Sequence, residues 1–359
     1  MSTASIGIDI GKTTFHLVGL DEHGSIVIRR KFSRKALLIY CAKLASSLIG
    51  MEACGGAHCL ARLLRDQGHQ VRLIPGQFVK RYRESNKNDY VDAEAIAEAV
   101  TRKNLRFVPI KTEDQLDVQG LHRVRERLVH NRTEVINQIR GFLLERGVTF
   151  NRGPLSLRKE MPDLLEDAEQ NLTPSLRTLL SHLWQEWQSL NSQIDRMGAA
   201  IEEVAESDAT CQRLRKIPGV GPLVSTATVA AIGNGAAFKR GRDFAAWLGL
   251  VPKQHSTGGK AKLLGITKRG NRYLRKLFVH GARAVLLRVK YDTKRAAYRR
   301  RTGKHLWHHA KRGHRLQRQQ LRRYFRDYAL NSVGDLMDNE CVWSLLWGEL
   351  VLITGVKSP

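Results

Sequence analysis

The chain has 359 residues, 42% of them hydrophobic, which is enough for about two domains at ~150 residues each and excludes wholesale disorder. Its formal net charge is +26, and the excess is local: residues 244–326 carry 24 basic residues against one acid, Asp292, whereas residues 111–243 balance at 18 against 18. A folded segment that repels itself so strongly calls for a polyanion, with nucleic acid ahead of an anionic membrane surface.

From the N-terminus, Ile6–Ile10 is a short apolar strand with one acid inside it, Asp9. A Gly-Lys-Thr-Thr turn follows, Phe15–Leu20 and Ser25–Phe32 continue as strands, and Ser33–Leu44 has helical periodicity. Leu48–Glu52 reads as a buried strand, Ala57–Gln67 as a helix, Gln70–Ile74 as a strand ended by Pro75, and Asp89–Thr101 as a helix. Three strands followed by helix, strand, helix and strand form an α/β pattern. Glu113–Arg146 and Ser175–Val204 are long amphipathic helices on either side of a looser, proline-bearing stretch, Asn151–Leu172. They read as a helical hairpin or coiled coil, and equally as an ordinary helical subdomain. Beyond Cys211, Ile217-Pro218-Gly219-Val220-Gly221-Pro222 lies between two helical stretches and Phe238–Leu250 is a short helix. Val251–Thr267 is then a Gly- and Lys-rich loop, Lys268–Lys290 a basic helix, and Lys294–Arg326 approaches low complexity.

Met1–Ser5 leads straight into a strand and does not read as a signal peptide, and the longest uncharged stretch, Ile217–Phe238, holds Pro218 and Pro222 and makes a poor membrane span. Five irregularly spaced cysteines, Cys41, Cys54, Cys59, Cys211 and Cys341, read as free thiols in a reducing cytoplasm. Cys54, His58 and Cys59 make at most half a zinc site with nothing to complete it; they read as buried small side chains on a helix.

Four acids carry the chemistry. Asp9 inside an apolar strand is costly unless something positive meets it. Glu52 ends a strand, and Asp89 and Asp92 open a helix three residues apart, on one face. Carboxylates on strand ends and one helix face are how nucleases hold Mg²⁺, which offsets charge developing on a phosphodiester oxygen. The alternatives are an N-cap for Asp89, a first-turn dipole partner for Asp92 and a strand-end acid for Glu52. Gly7–Thr14 fits equally the first phosphate loop of actin-like ATPases and sugar kinases, which share this core; their second Asp-x-Gly loop and their adenosine loop are not recognisable.

The Ile217–Pro222 turn looks like a helix-hairpin-helix, in which Gly219 and Gly221 let the backbone approach a phosphate; it reads also as a tight turn between packed helices. Ser256, in His255–Lys260, is by itself an ordinary exposed serine. With Lys253, Lys260, Lys262, Lys268, Arg269 and Arg272 around it, it reads as a nucleophile toward a phosphodiester, in a cut-and-rejoin reaction.

Ile6–Lys12, Met51–Gly55, Asn86–Glu98, Ile217–Gly221, Phe244–Pro252 and Ser256–Leu274 together resemble the DEDD transposases of the insertion sequence one-ten type, also called bridge-RNA-guided recombinases. The resemblance implies an α/β ribonuclease-H-like (RuvC-like) domain over 1–150, with Asp9, Glu52, Asp89 and Asp92 as a catalytic tetrad that binds Mg²⁺. A helical coiled-coil linker over 151–207 follows, then a mainly α transposase domain over 208–293 with the helix-hairpin-helix-like motif and Ser256 as nucleophile, then a basic, atypical tail over 294–359. Lys12, Gly219, Gly221, Lys253, Lys260, Lys262, Lys268, Arg269 and Arg272 would meet nucleic acid. The implied partners are double-stranded donor and target DNA, a noncoding guide RNA and further copies of the chain, as a dimer or tetramer in which acids and serine meet across protomers. The implied setting is a bacterial or archaeal nucleoid, with no membrane. The family's alanine-rich C-terminal helix is not recognisable in Lys294–Pro359. A junction-resolving RuvC-like nuclease that needs no serine, and a non-catalytic nucleic-acid-binding protein, are the rival readings.

Overall fold

The structure, a computed structural model, describes residues 3–79, 88–151, 153–167, 172–238 and 240–289. Asn86 and Lys87, the basic segment Lys294–Arg326 and Cys341 lie outside the described residues. The chain divides into two compact units after Leu116.

The first unit begins with an antiparallel meander, β1 (Ser5–Ile10), β2 (Thr14–Leu20) and β3 (Ile26–Ser33). It continues through α1 (Arg34–Cys41), β4 (Leu48–Glu52), α2 (Ala57–Asp66), β5 (Gln70–Ile74), α3 (Gly76–Val79) and α4 (Asp89–Ala99). The sheet order is β3-β2-β1-β4-β5, with β4 parallel to β1 and β5 parallel to β4. Alternation along the strands gives the sheet two faces. Ile6, Ile8, Phe15, Leu17, Ile49 and Met51 pack with Leu37, Leu60 and Leu64 of α1 and α2. The other face takes α4, whose Ala93 and Ala97 pack on Val18 and Leu20.

Helix α4 lies unusually close to the sheet because Gly7 and Gly50, paired across β1 and β4, leave the surface bare there. A Cβ on Gly7 would collide with the Ala93 carbonyl oxygen and the Ala97 nitrogen, and one on Gly50 with Val100 and Ile96. The Ser5 hydroxyl donates to the Ala97 carbonyl at 2.9 Å. Because the obstacle at Gly7 is backbone, it cannot swing away. Gly7→Ala is therefore expected to lower stability by about 2–3 kcal/mol in urea unfolding.

In the second unit, α5 (Glu113–Leu144), which starts just before the boundary, shares a core with α6 (Pro154–Glu166) and α7 (Pro174–Ser207). Leu128, Ile139, Met161, Leu180 and Trp187 are among its buried members. The stretch expected to be loose is thus mostly the helix α6, with Pro154 in the first turn, where a missing N–H costs nothing, and Pro162 inside. The long helix that the sequence groups with residues 1–150 packs within this helical body.

A second core of this unit gathers α8 (Ala209–Arg215), α9 (Pro222–Ile232), α10 (Gly241–Trp247) and α11 (Arg272–Val289). The expected Val251–Thr267 loop is instead a hairpin of β6 (Pro252–Thr257) and β7 (Lys260–Ile266). Gly258 and Gly259, both at positive φ, close it as a two-residue turn, the geometry that matches strand twist. No helix among the described residues is long and apolar enough to cross a membrane. Cys54 and Cys59, expected to be buried, are exposed, and His58 Nδ1 accepts the Lys111 backbone N–H at 3.2 Å.

Candidate active site

Two strand ends and the start of one helix set the four acids near enough for Asp92, Asp89 and Glu52 to act on the charge of Asp9. Asp9 is the last residue but one of β1, Glu52 ends the neighbouring β4, and Asp89 and Asp92 lie in the first turn of α4. The register puts Asp9 and Glu52 on the face of the sheet that carries Gly7 and Gly50, which is the face α4 covers. Asn88, not Asp89, caps α4: its side chain accepts the Tyr90 N–H at 3.0 Å. Asp89 is thereby left for other work and is largely exposed, whereas Asp92 is buried. The Glu52 carboxylate lies against Gly76, where any Cβ would strike its Oε1.

Burial, and then the charges of Asp92 and Asp89, push the Asp9 carboxyl above its ordinary range; Glu52 adds to the push and His16 opposes it. His16 is a residue that sequence reasoning missed. It pairs with Asp9 across β1 and β2, and its Nδ1 lies 3.6 Å from an Asp89 oxygen. Its signal was in the sequence: a hairpin closed by Gly11–Thr14, where the Gly11 N–H donates to the Thr14 carbonyl at 3.1 Å, sets His16 opposite Asp9. Lys12 is exposed in that turn.

Among the described residues, no three His, Cys, Asp or Glu side chains converge closely enough to grip one ion. The donor chemistry nevertheless fits a hard divalent cation. The four side chains are all carboxylates, and their mutual repulsion, felt at Asp9, is of the sign a cation would cancel.

The second group of expected site residues lies in the other unit. Ser256 is exposed on β6, opposite Ala261, and its Oγ accepts from the Gln254 amide at 2.7 Å. Gln254, two residues away on the same face, was not singled out from sequence. His255 pairs with Lys262, and Thr257 with Lys260. Both lysines therefore project from the face opposite Ser256. Lys253 is exposed at the start of the same strand.

At the base of the hairpin, Lys268 has φ 57°, and two turns interlock. A Cβ on Gly249 would strike the Arg269 backbone, and one on Gly270 the Trp247 carbonyl oxygen. Arg275 clamps them, donating to the carbonyls of Leu248 at 2.8 Å and Arg269 at 2.9 Å. Lys268, Arg269 and Arg272 remain exposed around this clamp. The glycine turn before α9 is a packed corner: Gly219 has φ 86°, and α11 comes so close that a Cβ on Gly281 would strike its carbonyl oxygen. Gly221 faces open space.

A mixed five-stranded sheet of this order, with carboxylates at the ends of the central strand β1 and its neighbour β4, places the first unit in the ribonuclease-H-like class. Residues 6–146 match the family described as "Transposase", and residues 211–299 match the "Transposase IS116/IS110/IS902 family". The "Probable family 20 transposase" of Pseudomonas aeruginosa is 44% identical over 80% of this chain and 85% of its own length. The "Transposase for insertion sequence element IS1328" of Yersinia enterocolitica is 42% identical over 81% of this chain and 86% of its own. The "Transposase for insertion sequence element IS1111A" of Coxiella burnetii is 43% identical over 80% and 79%. The chain belongs to the IS116/IS110/IS902 family of transposases. It is a DNA transposase of an insertion sequence, and domains of this ribonuclease-H-like kind generally depend on a divalent metal.

Proposed function

We propose that Asp9, Glu52, Asp89 and Asp92 are the catalytic carboxylates and hold Mg²⁺, that Ser256 is the nucleophile, and that the chain recombines donor and target duplexes under the guidance of a noncoding RNA. The observation that carries this reading is the Asp9 carboxyl, half-buried and pushed up by the other acids. Such a cluster costs stability, and groups perturbed by burial and like charge gather at catalytic sites. When bound, Mg²⁺ supplies Lewis-acid stabilisation of charge developing on the phosphodiester oxygens.

Ser256 Oγ attacks the phosphorus and gives up its proton, the bond to the leaving sugar oxygen breaks, and that oxygen takes a proton. One phosphoester replaces another, so the bond energy is kept for rejoining. The Gln254 amide, already donating to Oγ, steadies the negative charge that grows there. Lys12, Lys253, Lys260, Lys262, Lys268, Arg269 and Arg272 bind phosphates, as do the turn glycines Gly219 and Gly221. Because Lys260 and Lys262 project away from Ser256, they hold DNA flanking the attacked phosphate, not that phosphate itself.

The functional partition is 1–150 for the acids, 151–207 for the linker, 208–293 for the serine domain and 294–359 for the basic tail. Acids and serine come from different protomers of a homo-oligomer, with the long amphipathic helices α5 and α7 as the surface for self-association. Family resemblance supports the RNA, and the basic excess is compatible with it.

Ser256→Ala is expected to lose strand transfer by roughly a thousandfold or more while keeping DNA affinity. A denaturation-resistant protein–DNA adduct should form with wild type and vanish with the variant. Strand transfer at the wild-type rate by Ser256→Ala removes the serine from the mechanism. Hydrolysis without any adduct favours the junction-resolving nuclease. Sequencing of RNA that co-purifies after expression with the element's flanking DNA tests the guide.

A further inference from the structure

Strand β3, at the edge of the first sheet, carries three consecutive exposed cations, Arg29, Arg30 and Lys31. Among the described residues none of the three has a carboxylate partner. Their register divides them. Lys31 pairs with His16, which pairs with Asp9, so these three form one row across three strands and project from one face. Arg29 pairs with Val18, which pairs with Gly7, and shares that face. Arg30 pairs with Leu17 and belongs to the other face, where its guanidinium lies 5.4 Å from the centre of the Tyr40 ring.

Side-chain contacts tie the Arg29 and Lys31 face to the acids. The Arg29 guanidinium lies 4.6 Å from the centre of the Tyr90 ring, which would fix it in place. The Tyr90 ring meets His16 edge-on at 4.7 Å, and His16 Nδ1 stands 3.6 Å from Asp89. Four carboxylates repel a phosphate chain, so a DNA strand reaching them needs cations beside them that are already aimed at its neighbouring phosphates. This row has that arrangement.

We propose that Lys31 and Arg29 form the track that grips the backbone of the DNA strand entering the acidic site, with His16 bridging track and acids. The inference rests on the acids being the place where the phosphodiester reacts. Two inter-strand steps of ~4.8 Å separate Asp9 from Lys31, about 10 Å in all. At an axial rise of ~3.4 Å per nucleotide, the gripped phosphate lies within about three nucleotides of the reacting one. The competing account is that these charges only guard a sheet edge against pairing with other chains, in which case DNA is indifferent to them.

The test uses the full chain in an Asp9→Asn background, so that binding is read apart from chemistry, and the salt dependence of its affinity for a mixed-sequence DNA duplex. Each phosphate contact contributes ~0.9 to the slope of log affinity against log salt. Replacing both Arg29 and Lys31 with Gln should lower the slope by roughly 1.8, Lys31→Gln alone by roughly 0.9, and Arg30→Gln by nothing. Thermal midpoints are recorded for all three; if the double variant unfolds, Lys31→Gln alone decides. An unchanged slope in the Lys31 variants, or an equal loss in Arg30→Gln, overturns the proposal. With a mapped junction, a neutral methylphosphonate placed in turn at each of the three positions on either side of the joined phosphate should at one of them weaken wild type and leave the double variant unaffected. Insensitivity of wild type to every such replacement also overturns it. A failure here leaves intact the tetrad, which is judged by strand transfer in Asp9→Asn alone.

Discussion

Asp9→Asn is expected to abolish strand transfer and, in the presence of a chelator, to raise the midpoint of thermal unfolding. The two effects have one cause. Burial and the neighbouring Asp92, Asp89 and Glu52 all disfavour a charge on Asp9, and His16 opposes them. Removing the charge relieves that repulsion in the folded protein and changes little in the unfolded chain, so the metal-free variant gains stability. On the proposed assignment, the same substitution also removes a carboxylate from the place where a divalent cation would offset transition-state charge, an effect of several kcal/mol, or on the order of a thousandfold in rate. Calorimetry with and without Mg²⁺ separates this from a folding defect. Wild type should gain midpoint on adding the ion, and Asp9→Asn should gain less. A variant that is less stable in chelator and still recombines would remove Asp9 from the site.

How much of this was legible before the fold was known varies with the kind of signal. The first unit was readable because its strands are apolar runs bounded by glycine and proline: Gln70–Ile74 came out with the observed limits. Asp9 stood out because its neighbours Ile8 and Ile10 allow no ordinary reason for an acid. His16 did not stand out, because its importance is a matter of register, visible only once Asp9 and the turn are taken together. The β6–β7 hairpin was hidden by polar strands with no apolar alternation, although the Gly258-Gly259 pair was the turn signal. That omission mattered chemically: as a loop, Lys260 and Lys262 surround Ser256, but as paired strands they face away from it, and Gln254 takes their place. Arg275 was unreadable for a different reason. It looks like one more cation in a basic helix, and only the interlocked turns it clamps show that it is structural.

The largest stability effect is expected at His122, a 3% exposed histidine on α5 that no motif marked. Its ring joins three helices: Nδ1 lies 2.9 Å from the Tyr273 hydroxyl on α11 and Nε2 lies 2.9 Å from the Thr226 hydroxyl on α9. The Thr226 hydroxyl donates to the Pro222 carbonyl at 2.6 Å, so it must accept from Nε2–H, and Nδ1 then accepts from Tyr273. Every group in this chain is satisfied only while the ring is neutral. Burial, helped by Arg125, lowers the His122 pKa from 6.5 to about 4. The unfolded chain therefore takes up a proton below about pH 6.5 that the folded protein refuses until about pH 4. Stability from this group is complete above pH 6.5 and is lost as pH falls through that window, by about 3 kcal/mol. His58, also lowered to about 4 by burial and the nearby Lys111 and Arg62, adds loss over the same range. His122→Leu should cost about 2–4 kcal/mol at neutral pH, by stranding the Tyr273 hydroxyl and the Thr226 acceptor, and should flatten the acid limb of the stability curve. Urea unfolding between pH 7 and pH 4 checks both outcomes. Tyr273→Phe in the His122→Leu background should then cost almost nothing more, since the hydroxyl it removes has already lost its partner.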